Sequence, residues 1–207
     1  MLQSLQELRL LHKTYCSSLN LSDFISDSHP VTLMVLGVLS IYFIAITWVF
    51  IYRYFSLQGW VDQERESLDS LLMGSTHVSA LSYIDPFLKR TTNLSKEILD
   101  LCQYAATKDA TKGLSLLSVV ASTSPFIGLF GTVVSILDTF KDIGQASASM
   151  SLIAVGVSDA LIATAAGIFV AIFAYTFHQL LKRQAYELSG LIRMQSDALI
   201  AKSKDSV

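Results

Sequence analysis

Three runs of residues, each long and almost free of charge, constrain this chain more than anything else in it. Val31–Tyr52 supplies 22 uncharged residues between Pro30 and Arg53, and Leu114–Leu137 supplies 24 between Lys112 and Asp138. A third run extends from about Ala148 to Phe177, ahead of His178, Lys182 and Arg183, and its one charge is Asp159. A hydrocarbon layer about 30 Å thick is crossed by about 20 helical residues. The runs are too long for the strands of a membrane barrel, which alternate and number about 9–11 residues. An all-α protein that crosses a bilayer three times is the expectation. Composition agrees: of 207 residues, 52% are hydrophobic and 15% charged, with a mean hydropathy of +0.49. A soluble domain of this length would expose too much of that surface to water.

The Lys and Arg residues orient the spans. Arg9 and Lys13 precede the first, and Lys141 alone lies between the second and third. Seven fall between Arg53 and Lys112 and five from Lys182 onward. Basic residues stay on the cytoplasmic side, so the N-terminus is predicted outside and the C-terminus inside. The first apolar run starts too late, and is too long, for a cleaved leader, so the N-terminus is expected to be kept. The segments are then 1–30, an amphipathic stretch outside the cytoplasm; 31–52, the first span; 53–112, a cytoplasmic helical region; 113–140 and 148–178, the second and third spans; and 179–207, a cytoplasmic helical tail.

Leu2, Leu5, Leu8 and Leu11 give the N-terminal stretch a helical stripe that suits the lipid interface or a partner. In the cytoplasmic region Leu81, Ile84, Phe87, Leu88, Leu94, Ile98, Leu101 and Cys102 recur at helical steps and predict a buried face. About 60 residues bury little alone, so they should pack on extensions of the spans. The tail continues the pattern with Leu181, Leu188, Leu191, Ile192, Leu199 and Ile200, which predicts one helix from about 148 to 203, the main strut of a tall stalk half in lipid and half in cytoplasm. Tyr42, Phe43, Trp48 and Phe50 mark the first span as the lipid-facing one.

The chain shows no phosphate-binding glycine loop, no His/Cys cluster at metal spacing and no nucleophile elbow, so neither an enzyme, a cofactor nor a metal is expected. A net charge of -2 without a basic stripe points away from nucleic acid. Cys16 and Cys102, on opposite sides of the membrane, read as inert thiols, and His178 as an interfacial residue. Three spans without an inverted repeat or a broken-helix pair do not suggest a secondary transporter.

Asp159 is the exception to this blandness. It lies about ten residues into the third span, where a carboxylate on an isolated helix costs about 2.5–3.5 kcal/mol. It must face protein or water, as an interhelical hydrogen-bonding group, as an interfacial residue, or as part of an ion path. Small residues show where helices meet. Ser124, Gly128 and Thr132 are spaced by four beside Gly131 and Ser135; Gly156, Ala160 and Thr164 repeat the spacing, and Ala163, Gly167 and Ala171 form an adjoining stripe. Thr132 and Thr164 either bond their own backbones or hold water in a polar lane. Pro125 should kink the second span or free carbonyls there. One such chain cannot enclose a pore, so it must oligomerise around an axis or around partner helices.

The stretch SPFIGLFGTVVSILDTF, Ser124–Phe140, and the stretch GVSDALIATAAGIFVAI, Gly156–Ile172, resemble the second- and third-span motifs of the MotA/TolQ/ExbB proton-channel family, with three spans favouring ExbB and TolQ over MotA. The resemblance implies a homo-oligomeric ring, usually a pentamer, in a bacterial inner membrane. Its partner would be a single-span protein similar to ExbD or TolR, which carries the protonated aspartate. A TonB- or TolA-like protein would carry the work of proton flow to the outer membrane. The family's lumen acid corresponds to Asp159 and its lumen threonines to Thr132 and Thr164. The acid is usually Glu, one methylene longer, and the proline that commonly precedes the third-span glycine is here Val155. ExbB and TolQ are not separated by these motifs.

Overall fold

The structure, a computed structural model, describes residues 30–73, 82–90, 96–145 and 150–205. Among them there is no strand. The helices are α1 (Pro30–Leu72), α2 (Asp85–Arg90), α3 (Lys96–Ala110), α4 (Leu114–Gln145) and α5 (Met150–Asp205). Leu2–Tyr15, Cys16, Leu81 and Leu94, with the side chains of Phe87 and Leu88, lie outside the described residues.

Three of these helices are long and apolar enough to cross a membrane: α1, α4 over Leu114–Lys141, and α5 over Gly156–Lys202. The first does not stop at the end of its uncharged run. It continues through Arg53 for 43 residues in all, because no glycine pair or proline interrupts the extension. The third is one helix of 56 residues, and Gly190, with open space where a Cβ would be, does not break it. Only 17% of the most apolar stretch of α1, and 28% of those of α4 and α5, is buried by the chain itself. A helix left apolar around most of its surface needs lipid or other protein against it, so this is a multi-pass membrane protein.

The chain divides into two compact units, one formed by residues up to Ser40 with Pro125–Ile168, the other by Ile41–Ser124 with Phe169–Val207. The second has a conventional apolar core. Leu57, Val61 and Leu68 of α1 meet Ile84, then Leu99, Cys102 and Ala106 of α3, Leu114 and Leu117 of α4, and Leu181, Leu188 and Ile192 of α5. The region after the first span thus packs on extensions of the long helices, as its size demands. One expected core residue is misplaced: Leu101 is exposed, and its neighbour Leu99 is buried instead. The buried stripe of α3 runs Leu99, Cys102, Ala106, Ala110, steps of three and four that leave Leu101 on the other face.

The first span's aromatics also divide differently from expectation. Phe43 packs against Phe169 and Phe173 at 5.8 and 5.5 Å between ring centroids, and Phe50 stacks on Phe177 at 4.1 Å. These rings face protein, while Trp48 is 76% exposed. Aromatic pairs repay close packing beyond their area, so bulk alone does not identify a lipid-facing side chain.

Polar groups are placed where the helices end. Arg53 donates from Nη2 to the carbonyls of Asp109 (2.7 Å) and Ala110 (2.9 Å), capping the last turn of α3. Gly113 then takes φ +86°, the left-handed conformation that turns the chain into α4.

Candidate functional site

The first unit is built on close approach rather than on bulky side chains. Along α4 the buried positions are Gly128, Gly131, Ser135 and Thr139; along α5 they are Gly156, Asp159, Ala160, Ala163 and Gly167. A Cβ on Gly128 would lie 2.8 Å from the carbonyl oxygen of Ala163, 3.1 Å from the Cα of Gly167 and 3.2 Å from the Cα of Thr164. The two backbones touch there, which only glycine permits. At Gly131 the added carbon would be 3.1 Å from both Ala163 Cβ and Val35 Cγ1. At Gly156 it would overlap Thr139, whose Cγ2 would be 2.9 Å away.

That proximity brings hydroxyls together. The hydroxyls of Thr132 and Thr164 are hydrogen-bonded to each other. Thr132 Oγ1 is also 3.0 Å from the carbonyl oxygen of Ala160 and 3.3 Å from that of Gly128, and Thr164 Oγ1 is 3.4 Å from the latter. Ser135 Oγ reaches the Gly156 carbonyl at 3.4 Å. A hydroxyl both donates and accepts, so the pair can donate from Thr164 through Thr132 to the Ala160 carbonyl, or from Thr132 through Thr164 to the Gly128 carbonyl. Both threonines are only half-buried.

Asp159 precedes Ala160 on α5 and is 6% exposed. Its Oδ2 has no hydrogen-bond partner among the described residues. A buried carboxylate oxygen without a donor is costly. The helix-packing residues expected from sequence divide in two. Gly128, Gly131, Gly156 and Gly167 are at the contact. Ser124 belongs to the other unit, where its hydroxyl donates to its own Val120 carbonyl at 2.6 Å. Pro125 lies half-buried inside α4, which runs on unbroken through it, and cannot donate to the carbonyl of Ala121.

Thr139 and Thr32 are polar, buried and absent from the sequence expectation. The first was detectable, since it continues the stripe Gly128, Gly131, Ser135 by one more turn. Thr32 lies at the start of an otherwise apolar run, where a hydroxyl carries no pattern. A second polar cluster was equally silent. Glu64, 3% exposed, accepts from Ser82 Oγ (2.8 Å), Tyr83 N (2.5 Å) and Gln195 Nε2 (2.8 Å). It borders a cavity of about 330 Å³ lined by Trp60, Gln63, Ser82, Tyr83, Pro86 and Leu188. Nearby, Tyr83 donates to Asp109 Oδ2 at 2.8 Å, and its phenol is pushed up to about 12, mostly by burial. Cys102 is buried and its thiol rises to about 11, again through burial, with Glu64 adding to it. Lys112 and Tyr83 hold the Asp109 carboxyl below its usual range. Among the described residues no three His, Cys, Asp or Glu side chains come together as a metal site would require.

Residues 79–194 match the profile of the MotA/TolQ/ExbB proton channel family. A Helicobacter pylori protein named as an ExbB-like biopolymer transport protein is 41% identical over 181 residues, 86% of this chain and 96% of its own. The biopolymer transport protein ExbB of Neisseria gonorrhoeae is 48% identical over 73 residues, 34% of this chain and 33% of its own. That of Xanthomonas campestris is 46% identical over 82 residues, 36% and 32% respectively.

Proposed function

The chain belongs to the MotA/TolQ/ExbB proton channel family, on its ExbB side, and from that membership we propose that it is a proton-channel subunit of an inner-membrane stator. In this reading the N-terminus is periplasmic, and the region 53–112 and the tail from 179 are cytoplasmic. Copies of the chain, five in the simplest arrangement, surround a single-span partner similar to ExbD or TolR. Proton flow then drives a TonB- or TolA-like protein that works on the outer membrane. Asp159 is the proton-holding group, and Thr132 with Thr164 line the path beside it.

The observation that carries the reading is the buried Asp159 oxygen without a donor. A purely structural aspartate would be expected to have a donor. A proton crossing 100 mV releases about 2.3 kcal/mol, which is of the scale needed to shift one packed helix pair against another. A scaffold that conducts nothing is the second reading. It is favoured by the threonine hydroxyls, which bond to each other and to carbonyls as packing groups do.

Asp159→Asn separates the two. Loss of proton-driven uptake with assembly intact is expected, as is the same loss for Thr132→Ala combined with Thr164→Ala. Full-rate uptake by the Asn variant would leave the scaffold reading standing, in which Gly128→Leu and Gly167→Leu are damaging and the carboxylate is dispensable.

A further inference from the structure

Thr32 Oγ1 shares with Asp159 Oδ2 the condition of being buried with no hydrogen-bond partner among the described residues. Thr47, Thr123, Thr139 and Thr176 each donate to the carbonyl four residues back, at 2.7 to 2.8 Å. For Thr32 the position four back lies outside the described residues. Thr32 has no exposed surface.

Its direction follows from its neighbours. Thr32, Val35 and Leu39 form one buried stripe on α1 at steps of three and four. Val35 and Ala163 both come within 3.1 Å of the point where Gly131 would carry a Cβ, so they sit at one level beside α4. As first and third of three spans, α1 and α5 cross in the same direction. One turn toward both N-termini leads from Val35 to Thr32 and from Ala163 to Asp159. Those steps, three and four residues, differ by about 1.5 Å along the axis. Thr32 and Asp159 therefore lie at about one level of the first unit, and each carries an unpartnered oxygen.

The geometry points to a water-binding site between them, in which Thr32 is a positioning residue for the proton held at Asp159. The inference rests on the proton-channel reading only for that proton's use. A buried water needs two to four polar partners, and a bridged pair is nearly as favourable as a direct bond. A hydroxyl serves both states of the acid: the water donates to the carboxylate when Asp159 is ionised and accepts from the carboxyl when it is protonated. This makes α1 part of the proton site, rather than a lipid-facing support for α4 and α5.

The test uses infrared difference spectroscopy on the intact complex in membranes, with the vibrations of Asp159 assigned by their loss in Asp159→Asn. Thr32→Val removes the hydroxyl at nearly constant shape. It should shift the Asp159 bands, the carboxyl stretch upward, and slow proton-driven uptake about tenfold, the equivalent of one hydrogen bond to a charged group. Thr32→Ser should restore both. Asp159 bands unmoved in Thr32→Val would overturn the site, whatever happens to uptake, and a higher melting temperature alongside would mark Thr32 as a mere orphan. Should the valine variant fail to assemble, Thr32→Ala poses the same question with less bulk. Bands that shift while Asp159→Asn retains full uptake would preserve the site and refute the proton-channel reading.

Discussion

Gly128→Ala puts one methyl group into the tightest part of the molecule. Its carbon would lie 2.8 Å from the Ala163 carbonyl oxygen and 3.1 to 3.2 Å from two α-carbons of α5, whereas comfortable contacts are about 3.5–4.0 Å. All three neighbours are backbone, so no rotamer change relieves them. The helices must part by about 0.6 Å to bring the shortest contact near its comfortable range. That movement stretches the bond from Thr132 Oγ1 to the Ala160 carbonyl, now 3.0 Å, to about 3.6 Å, beyond a hydrogen bond. Overpacking costs about 1–3 kcal/mol and the lost interhelical bond about 0.6–2, against about 1 gained from helix propensity, a net loss of about 1–4 kcal/mol. Thermal and denaturant unfolding in detergent measures it. Gly190→Ala is the control, because open space surrounds that position, and it should be neutral or stabilising by up to about 1 kcal/mol. Equal behaviour of the two variants would refute the claim that α4 and α5 touch backbone to backbone.

Two further outcomes follow from the other unit. Glu64→Ala should cost about 2–4 kcal/mol, since Ser82, Tyr83 N–H and Gln195 lose a shared buried acceptor; Glu64→Gln, which keeps one acceptor oxygen, should cost less in denaturant unfolding, and an Ala variant as stable as the parent refutes the network. At alkaline pH, Cys102 and Tyr83 have folded values near 11 and 12 against ordinary values of 9.0 and 10.0. Their contribution is therefore complete below about pH 9 and is lost as pH rises through 11 to 12; Tyr83→Phe and Cys102→Ala should flatten that alkaline limb, and an unchanged limb in both would show that burial of neutral side chains does not govern it.

What the sequence disclosed depended on how many residues shared each signal. A span is announced by about twenty residues at once, so α1, α4 and α5 were legible without any tertiary knowledge, and the tail's spaced leucines announced its continuity with α5. The glycines of the helix contact were legible because four-residue spacing of small side chains is rare outside a close approach. Single residues were harder. Leu99 and Leu101 are equally apolar, and only the phase of α3 against its neighbours decides which is buried. Phe43 and Phe50 are as bulky as Trp48, and their partners, Phe169, Phe173 and Phe177, lie more than 120 residues away. Glu64 resembles any glutamate on a solvated helix until Ser82 and Gln195 arrive from elsewhere in the chain. Thr32 had neither spacing nor composition to distinguish it.

The two units are held by different physics, and this bears on where a moving part can be. The unit with the Glu64 cluster buries large aliphatic and aromatic side chains, and in its part beyond the spans stability scales with apolar area removed from water. The unit with Asp159 lies along spans where lipid is as apolar as leucine, and burial of hydrocarbon favours no particular partner there. Its contacts are glycine against backbone and hydroxyl against hydroxyl or carbonyl, each worth little and each sensitive to displacements of half an ångström. In the proposed proton-channel reading, a helix pair joined this way would shift its spacing when one carboxyl gains or loses a charge, because protonation changes which oxygens must be satisfied. Interlocked phenylalanines would resist the same displacement. Filling the contact with side chains, as in Gly128→Leu, therefore removes close approach and compliance together, whereas Asp159→Asn leaves the contact in place and removes only the change in charge that would drive it.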